Sequence, residues 1–241
     1  MNLLARHAVL TLSALILMAL SRPALCNGSR IDKLYHPYVQ PLEHEFEFRT
    51  LDEKNASVAP GDRTKARLGY GQAVSDNWFA EAYLIGEKND DRNFHIQSFE
   101  VEGLRQLTEQ GEYAADAGLL FDVESKFDGD LTEFSTALLL EKEWGRWSGT
   151  ANLFGIYELG RDVNDEFETA FNLQARYRLN RHFEPAIEFY KAQNTFGIGP
   201  VFLGSYSLGN ARKLRWEAGV VLGLDNDTPD RTIRTLVEYE F

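Results

Sequence analysis

From residue 42 to the last residue, apolar side chains return at every second position in one run after another. Successive side chains of an extended strand point to opposite faces, so this period specifies sheet with two different surroundings and argues against helices. In "LEHEFEFRTL" Leu42, His44, Phe46 and Phe48 stand against Glu43, Glu45, Glu47 and Arg49. In "RTKARLGYGQ" Leu68 and Tyr70 oppose Arg63, Lys65 and Arg67; in "EYAADAGLLFDVE" Tyr113 to Val123 oppose Asp116, Asp122 and Glu124. "EFETAFNLQARYRL" and "KLRWEAGVVLGL" repeat the pattern, placing Arg176, Arg178, Arg215 and Glu217 on the polar face. With weaker runs near 78–87, 93–105, 131–143, 147–158, 183–191 and 197–208, and the closing run to Phe241, twelve strands are expected.

The first residues read differently. Arg6 precedes an apolar run from Ala8 to Leu20, followed by a polar stretch containing Pro23. This pattern predicts a secretory signal peptide over 1–26, since a membrane-spanning helix needs about 20 apolar residues. A lipid-modified Cys26 is the alternative, although Leu25 is not the small residue such a signal places before the cysteine. Removing 1–26 takes Arg6 and Arg22 with it and moves the net charge from −12 to −14, which disfavours nucleic acid as a partner. Cys26 is also the only cysteine, so the mature chain has no disulfide framework and no thiolate nucleophile.

The strand connections alternate in character. Those near 73–77, 107–111, 145–146, 180–182 and 208–212 are compact, whereas those near 52–62, 88–91, 125–130, 160–165 and 225–230 are rich in Asp and Asn. Trp78, Trp144, Trp147 and Trp216 all lie near compact turns, as an aromatic belt at one membrane boundary would require. A soluble core plugged at one end by tryptophans is the competing explanation. The chain finishes "RTLVEYEF", with Phe241, Tyr239, Val237 and Thr235 on one face and Glu240 and Glu238 on the other.

The signal peptide, the alternation over 42–241 and this ending together make the chain resemble Gram-negative outer-membrane β-barrel proteins. The resemblance implies an up-and-down antiparallel transmembrane barrel after residue 41, a periplasmic segment over 27–41, and an outer-membrane location among lipid and lipopolysaccharide. It also implies that Phe241, Tyr239 and Val237 form the C-terminal signal read by the barrel assembly machinery. Thr235 departs mildly from the apolar choice usual there. No subfamily of known function is indicated. Closure of the barrel is also what backbone pairing in hydrocarbon demands.

Enzyme motifs are scarce. Lipid-hydrolysing barrels carry a serine two residues after a histidine, but His36, His44, His95 and His182 are followed there by Tyr38, Phe46, Gln97 and Glu184. "NDDRNFH" offers Asp90, Asp91 and His95 for protease-type chemistry, although a solvated acidic loop accounts for it equally well. No His-x-His pair, calcium loop or phosphate-cradling glycine motif is present, so no metal, cofactor or catalytic residue is assigned.

The lumen face carries the chemistry. A hairpin centred near residue 57 would set Glu47 opposite Arg67, and the next such argument sets Arg178 opposite Glu184. Closure of the last strand on the first would gather Glu43, Glu45, Glu238 and Glu240 at one mouth, with Arg67 the nearest basic group. Those residues and Arg176 are the candidate selectivity groups. Such ladders can build either a rigid filled interior or the wall of a narrow aqueous path. The expected function is a narrow passive channel for small polar or ionic solutes, with a non-transporting barrel and a barrel hydrolase as rivals.

Overall fold

The structure, a computed structural model, describes residues 30–55, 61–90, 92–129, 131–160 and 166–241. The signal peptide expected over 1–26 and Asp91 lie outside the described residues. Twelve strands run β1 (His44–Lys54), β2 (Arg63–Ser75), β3 (Trp78–Asn89), β4 (His95–Gln106), β5 (Asp116–Lys126) and β6 (Leu131–Trp144) in the first half. The second half holds β7 (Trp147–Gly160), β8 (Glu166–Tyr177), β9 (Glu184–Ala192), β10 (Thr195–Gly209), β11 (Arg212–Gly223) and β12 (Arg231–Glu240). Each pairs antiparallel with its sequence neighbours, and β1 closes on β12, so no edge is left. At that seam Glu45 faces Glu240 and Lys54 faces Arg231.

The alternation has sorted polarity inside out. Phe46, Leu68, Phe121 and Ile187 are exposed on the outer wall, whereas Glu47, Arg49, Glu188 and Arg234 are 0% exposed in the lumen. An outer surface of this kind suits hydrocarbon, and the buried charges are sustained only because they pair.

The lumen is not empty. Residues 30–39, part of the 27–41 segment expected to lie outside in the periplasm, instead run up the inside of the barrel as an extended strap. From Gln40, beside the rim that holds Phe241, the strap passes Tyr38, whose hydroxyl donates to Asp116 at 2.8 Å, and Tyr35, whose hydroxyl donates to Glu102 at 2.5 Å. It ends beside Glu133, Glu158 and Glu168 near the opposite rim. Ile31 and Leu34 are buried against Tyr190 and Val221 on the wall. Gly118 makes room for it: a Cβ there would lie 3.0 Å from both Cα and Cβ of Pro37.

Several local expectations shift. Strand β1 pairs with β2 so that Glu47 faces Gly69 and Arg49 faces Arg67, two residues out of step with the expected hairpin. The length of the 55–62 connection, which alternation does not fix, sets that register. The division into short and long connections is not strict either. On the Phe241 rim β4 and β5 are joined through residues 107–115, which include Tyr113, while at the opposite rim β9 and β10 meet across residues 193–194 alone. Asn210 and Ala211, with φ of 52° and 61°, form the left-handed turn between β10 and β11 that a two-residue hairpin requires.

Candidate functional site in the barrel lumen

The strap carries a nitrogen-bearing side chain at every third position, Arg30, Lys33 and His36, and each meets a carboxylate of the wall. Arg30 lies 2.7 Å from Glu133, 2.7 Å from Glu158 and 3.1 Å from Glu168, which come from β6, β7 and β8. Lys33 Nζ is 2.7 Å from Glu47 and 3.7 Å from Glu81. His36 Nδ1 is 2.5 Å from Glu141. Asp32 reverses the sign once, sitting 2.9 Å from Arg49 and 3.4 Å from Arg67. Glu47, Glu158 and Glu168 are buried, so in the closed lumen Arg30 and Lys33 offset charges that water does not reach, while wall Arg49 and Arg176 lie 3.3 Å from Glu47 and Glu141.

Main-chain contacts add to the charges. The Asn152 side chain accepts from Tyr35 N–H at 2.8 Å and donates to Tyr35 C=O at 2.9 Å. Gln106 accepts from Val39 N–H at 2.8 Å, Thr195 accepts from Arg30 N–H at 2.9 Å, and Tyr190 donates to Asp32 C=O at 2.6 Å. The wall therefore reads the strap as an extended backbone as well as a row of charges.

Between the strap and the Phe241 rim lies a cavity of about 450 Å³, lined among others by His36, Glu43, Glu141, Arg176, Arg215 and Glu238. Glu43, Glu238 and Glu240 bring carboxylate oxygens within 4.8 Å of one another. Glu45 and Glu240 face each other across the seam, as do Glu47 and Glu238. Closure thus gathers acids at this mouth, but Arg67 is not their nearest base. Lys213 is 2.8 Å from Glu240 and Arg215 is 3.2 Å from Glu238, both supplied by β11. Burial, then the neighbouring Glu240 and Glu238, push the Glu43 carboxyl up to about 8.

Arg67 works deeper in the barrel, paired with Glu100 and 3.6 Å from Glu124. Glu100, Glu102 and Asp122 form a second close carboxylate group, met by Arg67 and the Tyr35 hydroxyl. Arg178 and Glu184 do not pair with each other: Arg178 takes Glu143, and Glu184 takes Arg176 at 3.4 Å. Arg234 bridges Glu188 at 2.8 Å and Glu217 at 3.0 Å, an ion-pair group whose three members all belong to the wall.

The candidate belt residues sit on the outer wall. Trp144 and Trp147 face each other across their turn and are largely exposed. Trp78 stacks on Phe121 and lies under Arg105, and the half-buried Trp216 faces Val237. Phe241 stacks on His44, Phe46 and Tyr239, and its backbone continues the seam through two hydrogen bonds with His44. His95 contacts the carbonyl of Asn93 at 3.1 Å, while the Asp90 carboxylate accepts from Asp62 N–H, so these two residues are not joined.

Of all these contacts, sequence reasoning missed the strap. Its signal was available: "RIDKLYHPYV" carries Arg30, Lys33 and His36 at three-residue spacing between apolar and tyrosine side chains, ahead of a chain most of whose strands turn acids inward.

No family model matches the chain, and neither does any curated protein. Among solved structures, an outer-membrane channel from Pseudomonas putida F1 superposes with a TM-score of 0.56 at 10% identity, covering 88% of this chain and 99% of that one. The NanC porin gives 0.54 at 12% identity over 81% and 98% of the two chains. The KdgM porin in complex with disordered oligogalacturonate gives 0.52 at 12% over 83% and 98%. The chain has the outer-membrane β-barrel fold. In an outer-membrane barrel of twelve strands the lumen is narrow enough for one extended segment to fill its axis, which is the arrangement the strap adopts.

Proposed function

We propose that the protein is an outer-membrane channel for small polar or ionic solutes, held closed at rest by its own N-terminal strap. The strap's occupation of the axis, with Arg30, Lys33 and His36 seated on wall carboxylates, is the observation that carries this reading. The exposed apolar outer wall fits lipid, and the Asp- and Asn-rich connections fit the lipopolysaccharide side. Phe241, Tyr239 and Val237 serve as the assembly signal in this reading, and the rim tryptophans anchor the inner boundary. An acid-rich lumen concentrates cations, so the open state prefers them.

Single-channel recording tests the reading. Mature protein in planar bilayers should be mostly closed, with rare openings. A variant lacking residues 30–39 should conduct steadily, with at least a fivefold higher mean current and a cation-preferring reversal potential in a KCl gradient. A deletion variant that still shows heat-modifiable gel mobility yet passes no current would overturn the channel. It would favour the rival reading, a non-transporting barrel locked by pairs such as Arg234 with Glu188 and Glu217.

A further inference from the structure

The contacts to the strap are of two kinds. One kind is charge: Glu133, Glu158 and Glu168 converge on a single guanidinium, Glu47 on an ammonium, Glu141 on an imidazole. The other kind is independent of side chain. Asn152 clasps both the N–H and the C=O of one residue, while Thr195 and Gln106 accept main-chain N–H groups nearer the two ends and Tyr190 donates to a carbonyl. Amide and hydroxyl groups arranged this way recognise any extended peptide, and the carboxylates then select basic side chains three residues apart.

We propose that this track is a binding site for short basic peptides, and that the strap is a tethered stand-in for them. The inference rests on the strap being displaceable, as the proposed channel requires. With the strap withdrawn, buried Glu158 and Glu168 would lose the Arg30 guanidinium, Glu47 would keep Arg49 but lose Lys33, Glu141 would keep Arg176 but lose His36, and the Asn152 amide would lose both partners. Water can enter and hydrate them, but a cationic peptide restores every contact at once. A simple polyamine restores the charges alone. Tethering gives the strap a high local concentration, so a competing peptide has to be abundant or bind more tightly than the strap does.

The test uses the variant lacking residues 30–39 in detergent, with fluorescence anisotropy of labelled peptides as the readout, which does not depend on conductance. Three ligands are compared: the amidated peptide RIDKLYHPYV, an unrelated ten-residue peptide with Arg or Lys at every third position, and spermine as a competitor. Both peptides should bind. Asn152→Ala and the double change Glu158→Gln with Glu168→Gln should each weaken them at least tenfold. Replacing the basic residues of the unrelated peptide by Glu should abolish binding. Binding of the strap peptide alone would reduce the track to a socket for its own plug and overturn the proposal. Displacement by spermine at the same concentration as the unrelated peptide would leave only charge recognition and overturn the peptide claim. Should the deletion variant fail to fold, the full chain carrying Arg30→Gln, Lys33→Gln and His36→Gln is measured instead, with the same outcomes required. A variant that binds peptide but never conducts removes the channel reading while leaving the track intact. One that conducts but binds no peptide does the reverse.

Discussion

Two sets of lumen carboxylates are neutralised in different ways. Glu188 and Glu217 meet Arg234, and Glu238 and Glu240 meet Arg215 and Lys213, so both charges of each set belong to the wall. Glu133, Glu158 and Glu168 meet Arg30 of the strap, an element outside the closed sheet, whereas Glu47 and Glu141 divide between Lys33 and His36 of the strap and the wall arginines Arg49 and Arg176, each 3.3 Å away. The first set is bound into the barrel's folding, since neither partner can leave without unfolding strands. The second can be exchanged for water, ions or another chain while the sheet stays intact. A barrel whose wall balanced all its own charge would gain nothing electrostatic from a plug; this wall leaves acids that need one.

The largest effect should come from fixing the strap in place. The mature chain is expected to lack cysteine, and a Cβ at Gly118 would lie 3.0 Å from Pro37 Cβ, about half an ångström short of the disulfide range. Pro37→Cys with Gly118→Cys, once oxidised, should abolish channel openings, and reduction should restore them. Openings of equal frequency in both states would show that strap movement is irrelevant to conduction.

A second effect separates the two sets of charges by stability. Arg234→Met leaves Glu188 and Glu217 buried without their guanidinium and should cost about 3–5 kcal/mol, read as a lowered temperature of heat-modified mobility or a lowered urea midpoint. Arg30→Met should change that midpoint much less and raise the frequency of openings instead, because its three carboxylates can rehydrate when the strap leaves. Equal losses of stability would erase the distinction between wall and strap.

The smallest effect concerns the mouth near Phe241. Glu43 is surrounded by Glu45, Glu238 and Glu240, with Arg215 nearby, and its carboxyl is pushed up to about 8 in the folded chain. A free glutamate titrates near ~4.3, so ionising Glu43 costs native stability that begins above that pH and is fully felt above about 8. Glu43→Gln should therefore raise the unfolding midpoint relative to the unchanged protein at pH 9 and leave it nearly equal at pH 4. The same shift at both values would mean that the mouth charges are screened by open water.

The sequence alone determined the strands, their number, their two faces and the closing of acids onto one mouth. The period of two is local: Phe46 and Glu47 declare their sides within a few residues, and hydrocarbon outside with polar groups inside follows from that. What it left open was decided by distance along the chain. The facing of Arg49 with Arg67 depends on the length of a connection, and Arg178, just past the end of β8, pairs across β7 with Glu143 of β6 rather than with Glu184 of its own hairpin. The strap lay furthest from view. A segment without alternation declares no face, and Arg30 finds its carboxylates more than a hundred residues away, on strands brought together only when the barrel closes. Its place inside was a matter of electrostatic fit between ten residues and a completed lumen, and that lumen exists only in the tertiary structure.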